Sequence, residues 1–191
     1  MAEASPALAA YPITYRVQPQ TAGRNRLTVA FRAILAIPHG LLVGDPTEGV
    51  GGGAIVFAGR QPHGLWDFTD FYMRWRGNAL AYMVLLRDEY PPFGSGDGSY
   101  PASFGVDAFP QTRNRWSVGL RLIYAIPQFI VLFFLGIAWL VTVIIGWLAI
   151  LFTGRYPEGL YTFGVGYMRW SLRVEAYVLL MRDEYPPFSL D

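Results

Sequence analysis

The spacing of hydrophobic positions changes several times along the chain, and each change marks a different element. Tyr11, Ile13, Tyr15 and Val17 alternate with other, mostly polar residues, the period of a half-buried strand. Tyr100, Ala102, Phe104 and Val106 repeat that alternation less cleanly. Helical spacing takes over at 63–86 and again at 158–181, the second directly after Pro157, a residue suited to a helix start. Both helices must stop short of a Tyr-Pro-Pro-Phe run, at 90–93 and 185–188, because a residue before proline is pushed out of the helical region. The expected class is α+β, mainly α.

From Leu122 to Gly154 there are 33 consecutive residues without Asp, Glu, Lys or Arg. One straight helix of that length spans roughly 50 Å at about 1.5 Å per residue, against a hydrocarbon core of about 30 Å. Folded in half and extended back to Trp116, the stretch predicts a transmembrane hairpin over 116–153. Its helices run near 116–134 and 137–153, with Gly136 at the turn. The hairpin brings Arg113, Arg115, Arg121 and Arg155 to one face of the membrane, as the positive-inside bias expects. Trp116 and Tyr156 fall at that interface and Trp139 at the opposite one. Residues 1–10 lack the charged start and apolar core of a signal peptide, so the hairpin itself is expected to direct insertion, with both termini cytoplasmic.

Self-comparison shows an internal repeat. Arg87 to Phe93 recurs unchanged as Arg182 to Phe188, and Tyr72-Met73-Arg74-Trp75 recurs as Tyr167-Met168-Arg169-Trp170. Arg24-Asn25-Arg26 matches Arg113-Asn114-Arg115, Arg32 matches Arg121, and Ile37-Pro38 matches Ile126-Pro127. The expected organisation is a tail (1–10), a first unit (11–93), a linker (94–99) and a second, pseudo-symmetric unit (100–188) that carries the hairpin. Where the second unit has the apolar residues 128–153, the first has a shorter stretch containing Asp45, Pro46, Glu48 and a glycine run. Charges at bilayer depth are costly and proline breaks helices, so the first unit has lost its hairpin. Its remaining apolar stretch, 27–43, is expected in the interface or against the second unit.

The helix at 158–181 has two apolar flanks rather than one. Arg169 and Arg173 share a stripe, and Ser171, Glu175 and Arg182 share the opposite one. Between them lie Trp170, Val174 and Tyr177 on one side and Met168, Leu172 and Leu179 on the other. A helix with two apolar flanks is sandwiched. The expected arrangement places it along the membrane surface, one flank down and the other under the small sheet.

Composition narrows the function. Hydrophobic residues make up 53% and charged residues 15%, against roughly 25% charged in a typical soluble domain. Net charge is +1, which gives no bulk attraction to polyanions and argues against a nucleic-acid partner. There is no cysteine, which removes disulfides, thiolate metal sites and cysteine nucleophiles. All fifteen basic residues are arginine. Without lysine there is no Walker A motif or Schiff-base residue, and no zinc-protease or EF-hand spacing occurs. The two histidines, His39 and His63, align with Gln128 and Glu158, which is not the pattern of a duplicated metal or proton site. No catalytic residue, metal site or cofactor is expected.

Two sets of charged residues remain. Asp88-Glu89 and Asp183-Glu184 are adjacent carboxylates at helix C-termini, where the dipole disfavours acids. One acid of each pair is expected to bind an arginine, for instance from the 24–26 or 113–115 turn, clamping the Tyr-Pro-Pro-Phe run onto its helix. Arg169 and Arg173 are grouped with these acids as clamp candidates. Arg113, Arg115, Arg121 and Arg155 form the second set, suited to holding lipid phosphates in the headgroup plane.

Thr153 to Pro157, Arg169 to Tyr177 and Asp183 to Phe188, behind an Arg-rich turn and Ile126-Pro127, resemble the bacterial family named domain of unknown function 4389 (DUF4389). The first unit departs from that pattern: Asn78 replaces the second arginine and Leu80 stands opposite Glu175. The resemblance implies a membrane-embedded module of the bacterial inner membrane and no established activity. With the missing catalytic groups, it points to a non-enzymatic, multi-pass membrane protein: a subunit, anchor or assembly factor with membrane lipids and a membrane-protein partner or second copy as its contacts. The alternative is a protein that handles lipid or a small ligand, with its site between the two units. A channel or transporter fits less well, because one hairpin cannot line a pore.

Overall fold

Two 21-residue helices form the middle layer of the computed structural model, α4 (His63–Met83) and α6 (Glu158–Val178). The structure describes residues 11–43, 63–107 and 115–191, with the backbone alone at 115–119. Residues 1–10, the Asp45–Glu48 stretch with its glycine run, and Arg113 lie outside the described residues.

Above the two helices lies an antiparallel ribbon of β1 (Ile13–Val17) and β2 (Ala102–Val106), in register Ile13↔Val106, Tyr15↔Phe104, Val17↔Ala102. The strands form where the alternation predicts them. Ile13, Tyr15, Ala102 and Phe104 point inward and are buried, while Thr14, Arg16 and Ser103 face out. β1 packs on α6 and β2 on α4, so α6 is roofed by the strand farther from it in sequence and α4 by the strand that follows it. The Tyr15 hydroxyl donates to Gly77 O of α4 at 3.0 Å, tying the ribbon across both helices.

Beneath the middle layer lie three short helices, α1 (Arg26–Ala30), α2 (Arg32–Leu35) and α3 (Ile37–Val43), and one long helix, α5 (Arg115–Thr153). α3 packs on α4, α5 packs along α6, and α1 meets α5. The Trp147 indole N–H donates to Val29 O at 2.9 Å across that last contact. Asn25 starts the series by accepting from the Leu27 and Thr28 amides, an ordinary N-cap.

The predicted hairpin does not form. Residues 115–153 form one continuous helix of 39 residues, and nothing turns at Gly136. Glycine alone does not end a helix, and the flanking Phe134, Leu135, Ile137 and Ala138 offer no side chain to cap the freed backbone groups in an apolar setting. Gly136 serves close packing instead: a Cβ there would sit 2.9 Å from the Tyr167 hydroxyl. The chain reverses later, at Gly154 (φ +71°) and Pro157, which makes α5 and α6 an antiparallel pair. Trp139, expected at the far membrane interface, stacks on Tyr167 of α6 with ring centroids 4.8 Å apart.

α6 is sandwiched, and both of its flanks meet protein. Met168 and Leu172 join the cluster that holds Tyr15 and Phe104, while Trp170 and Val174 pack on Leu132 of α5. The surface left open is that of the bottom layer. Buried positions of α1–α3 and α5 follow a three-four spacing (Arg32, Ala36, His39, Val43 and Arg121, Ala125, Gln128, Leu132), and most positions between them are exposed and apolar. Leu120–Thr153 is long and apolar enough to cross a membrane: its most apolar 18-residue window has a mean hydropathy of 2.8, and only 11% of that window is buried.

Candidate functional site

Both middle helices end in a left-handed residue that is not glycine, Leu85 (φ +66°) and Leu180 (φ +65°). At the first end the Leu86 amide donates to Ala81 O and the Leu85 amide to Tyr82 O; at the second, Met181 donates to Ala176 O and Leu180 to Tyr177 O. This is the Schellman arrangement, usually completed by glycine. A leucine in that conformation costs roughly 1–2 kcal/mol. Burial of both leucine side chains offsets it.

The last carbonyls of a helix carry partial negative charge, and a buried arginine meets each set. Arg32 donates to Tyr82 O (3.2 Å), Arg87 O (2.8 Å) and Asp88 Oδ1 (2.6 Å), with its guanidinium 3.9 Å from the Tyr82 ring centroid. Arg121 donates to Tyr177 O (2.7 Å), Arg182 O (3.0 Å) and Asp183 Oδ1 (2.5 Å), 4.4 Å from the Tyr177 ring. The cation that caps the helix also neutralises the acid just beyond it.

Asp88 has a second arginine. Arg24 donates through Nε to Oδ2 (3.0 Å) and through Nη2 to Oδ1 (2.8 Å), and the Asn25 amide adds a bond to Oδ2 at 2.8 Å. Burial by itself pushes the Asp88 carboxyl up. The bonds from Arg24 and Asn25 and the charges of Arg24 and Arg32 outweigh it, and the group sits below its ordinary range. Glu89 and Glu184 turn the other way, to Arg87 (2.6 Å) and Arg182 (2.8 Å). Their backbone carbonyls accept from Tyr100 and Tyr11 respectively, which pins the start of each strand to the end of the opposite helix.

Arg169 and Arg173 do not join these acids. Arg169 donates to Tyr15 O and Leu190 O, both at 3.2 Å, and Arg173 lies 5.8 Å from the Tyr11 ring. Both sit on the ribbon side of α6 and hold β1 and the C-terminal residues.

Of the four arginines expected at one headgroup plane, Arg113 lies outside the described residues and the other three are not brought together. Arg121 is 1% exposed and turned inward to Asp183. Arg115 opens α5 and Arg155 follows its far end, about 58 Å away along a continuous helix at about 1.5 Å per residue. Arg155 is exposed. The expectation fails because it depended on the turn at Gly136.

Next to each clamp a second paired contact holds the Tyr-Pro-Pro-Phe run. The Trp75 indole N–H donates to His39 Nδ1 (3.0 Å), and the Trp170 indole N–H donates to Gln128 Oε1 (2.8 Å). Gln128 Nε2 passes a bond on to Pro186 O at 2.7 Å. His39 Nε2 faces the equivalent Pro91 carbonyl without a well-aligned bond, and burial lowers the His39 pKa. The histidine is therefore a neutral spacer between an indole and a proline carbonyl, stacked on Phe93 at 4.5 Å.

One ion pair has no counterpart. Arg76 of α4 meets Glu175 of α6 at 2.7 Å, both side chains 12% exposed, joining the two halves at their centre. The corresponding positions of the two helices carry Ser171 and Leu80. The unusual stripe of α6 marks Glu175 in the sequence, but nothing there names Arg76 as its partner. Arg32 was legible only as the match of Arg121.

On the outer face of α5, Ile126, Phe129, Ile130, Phe133 and Phe134 line a shallow apolar groove of about 360 Å³. Its lining side chains are all exposed on the bottom face.

Residues 115–189 match the family model described as Domain of unknown function (DUF4389). No curated protein and no solved structure matches the chain.

Proposed function

We propose that this chain is a non-enzymatic membrane module of the bacterial inner membrane, serving as a subunit, anchor or assembly factor, and that it is built from two copies of one unit. The observation that carries this reading is the contrast between its faces. The polar groups of the clamps are consumed inside the molecule: the Arg32, Arg121, Asp88 and His39 side chains all point to protein partners. The bottom face is left apolar and uncovered, with Leu27, Phe31, Leu41, Ile137 and Phe152 each more than half exposed. A surface of that kind needs lipid or a partner to cover it. Support for two copies comes from the matching Arg32–Asp88 and Arg121–Asp183 clamps and the matching His39–Trp75 and Gln128–Trp170 contacts.

Extraction from native membranes in a mild detergent, followed by native mass spectrometry, tests the reading. Stoichiometric protein partners are the expected result. A chain that is monodisperse in aqueous buffer without detergent, lipid or partner overturns it.

The alternative of lipid handling has one specific support, the apolar groove at Ile126 to Phe134, whose lining suits an acyl chain. It lies on the outer face of α5 instead of between the units. A lone chain carrying a defined lipid in the same experiment favours this second reading.

A further inference from the structure

α5 has the composition of a transmembrane helix, but what packs on it does not suit the middle of a bilayer. α6 and the turn before it cover one stripe of α5 from Arg121, beside Tyr177, through Gln128 and Trp139 to Gly146, where a Cβ would meet the Tyr156 ring. The ribbon lies directly over that part of α6: Arg169 Nε donates to Tyr15 O, and the Tyr161 hydroxyl donates to Gln18 O at 3.2 Å. Trp139 and Tyr167, at the centre of the pair, therefore lie under the ribbon. If α5 ran straight through the bilayer, the ribbon would be carried to the same depth. Its outward residues Thr14, Arg16 and Ser103 are exposed, and among the described residues each strand has one edge without a strand partner. Open sheet edges and unpaired polar side chains are excluded from hydrocarbon.

The same layers fit the bilayer in another orientation. α1–α3 and α5 lie together on the face opposite the ribbon, and their outward side chains are apolar over the whole face: Leu27, Ile34, Leu42, Ile123, Ile137 and Ile144 are all exposed. No acid or base interrupts α5 between Arg121, which is turned inward, and Arg155 beyond its end. A helix about 10–12 Å across fits within one leaflet of a core about 30 Å thick. Arg26 and Arg155, both exposed, stand at the Gly154 end of this floor, where their long side chains can reach headgroups.

We infer that α5 does not cross the membrane: it lies in the plane of one leaflet, forming with α1–α3 an apolar floor whose occupant is lipid, while the ribbon faces water on the same side. This rests on the membrane reading above and fixes its geometry. The length of α5, far beyond the bilayer thickness as a straight span, is no obstacle to a helix lying in the plane.

The chain has no cysteine, so single cysteines report position cleanly. Glu158→Cys and Glu184→Cys mark the two ends of the α5–α6 pair, and Ser103→Cys marks the ribbon; all three sites are exposed. Each full-length variant is expressed and treated with a membrane-impermeant maleimide, once on spheroplasts and once on inverted membranes. The in-plane arrangement requires all three to label from the same side, with at least a tenfold preference. Labelling of Glu158→Cys and Glu184→Cys from opposite sides overturns it and leaves the membrane reading standing. Recovery of the chain in the soluble fraction overturns both.

Discussion

His39 stands to Trp75 as Gln128 stands to Trp170: a buried acceptor takes the indole N–H and turns its other polar atom toward a proline carbonyl. Two side chains of different chemistry occupy one role because each offers an acceptor and a donor on opposite edges of a flat group. The histidine is thereby explained without catalysis, and its exchange for glutamine becomes informative.

His39→Gln should leave thermal stability within about 1.5 kcal/mol of the parent, whereas His39→Leu strands the half-buried Trp75 indole N–H and should cost about 1–3 kcal/mol. The pH profile separates them further. Burial places the folded-state pKa of His39 below its unfolded value of 6.5, so its contribution is present above that value and lost as pH falls. Melting temperatures between pH 7 and 5 should therefore fall more steeply for the parent than for His39→Gln.

Asp88→Asn removes the charge that two buried arginines share. Breaking a buried pair costs about 3–5 kcal/mol, and chemical denaturation in detergent should show a loss of that size. Asp88 has its pKa lowered in the fold, so the clamp's contribution is present above the unfolded value of 3.8 and is lost as pH drops through the lower folded value. A parent protein with no additional acid sensitivity compared with Asp88→Asn would contradict the clamp.

Arg76 and Glu175 are a different case, an ion pair that joins the two halves. Arg76→Met alone leaves Glu175 buried without its cation and should destabilise by about 3–5 kcal/mol. The double variant Arg76→Met/Glu175→Leu should recover most of that loss, since leucine already stands at the matching position 80 of α4. A double-mutant cycle on unfolding free energies measures the coupling.

Gly146→Ala tests the turn between α5 and α6. The added Cβ would overlap the buried Tyr156 ring, so one helix must shift. A loss of about 1–3 kcal/mol is expected. Gly159→Ala, with nothing within 4 Å of its Cβ, is the matched control and should be neutral or slightly stabilising. Equal melting temperatures for the two would remove the close contact.

The local elements were legible because local rules govern them. Alternation marked β1 and β2, and proline placement marked the ends of α4 and α6 to within a few residues. The need for an arginine beside each Asp-Glu pair followed from the helix dipole. Which arginine supplied it did not: Arg32 and Arg121 lie some 60 residues from their acids, and the apolar spacing around them reads only as membrane helix.

Alternation, apolar length and repeated residues thus determined the type of each element and the apolar length of one stretch, since these depend on residues close together in the chain. The tertiary structure decided where the chain turns and which face is left bare. A hairpin at Gly136 and a straight helix through it satisfy the same composition. The choice falls to α6 and the turn before it: Tyr156, Tyr167 and Trp170 pack along a continuous stripe from Gln128 to Gly146 that a turn at Gly136 would have broken.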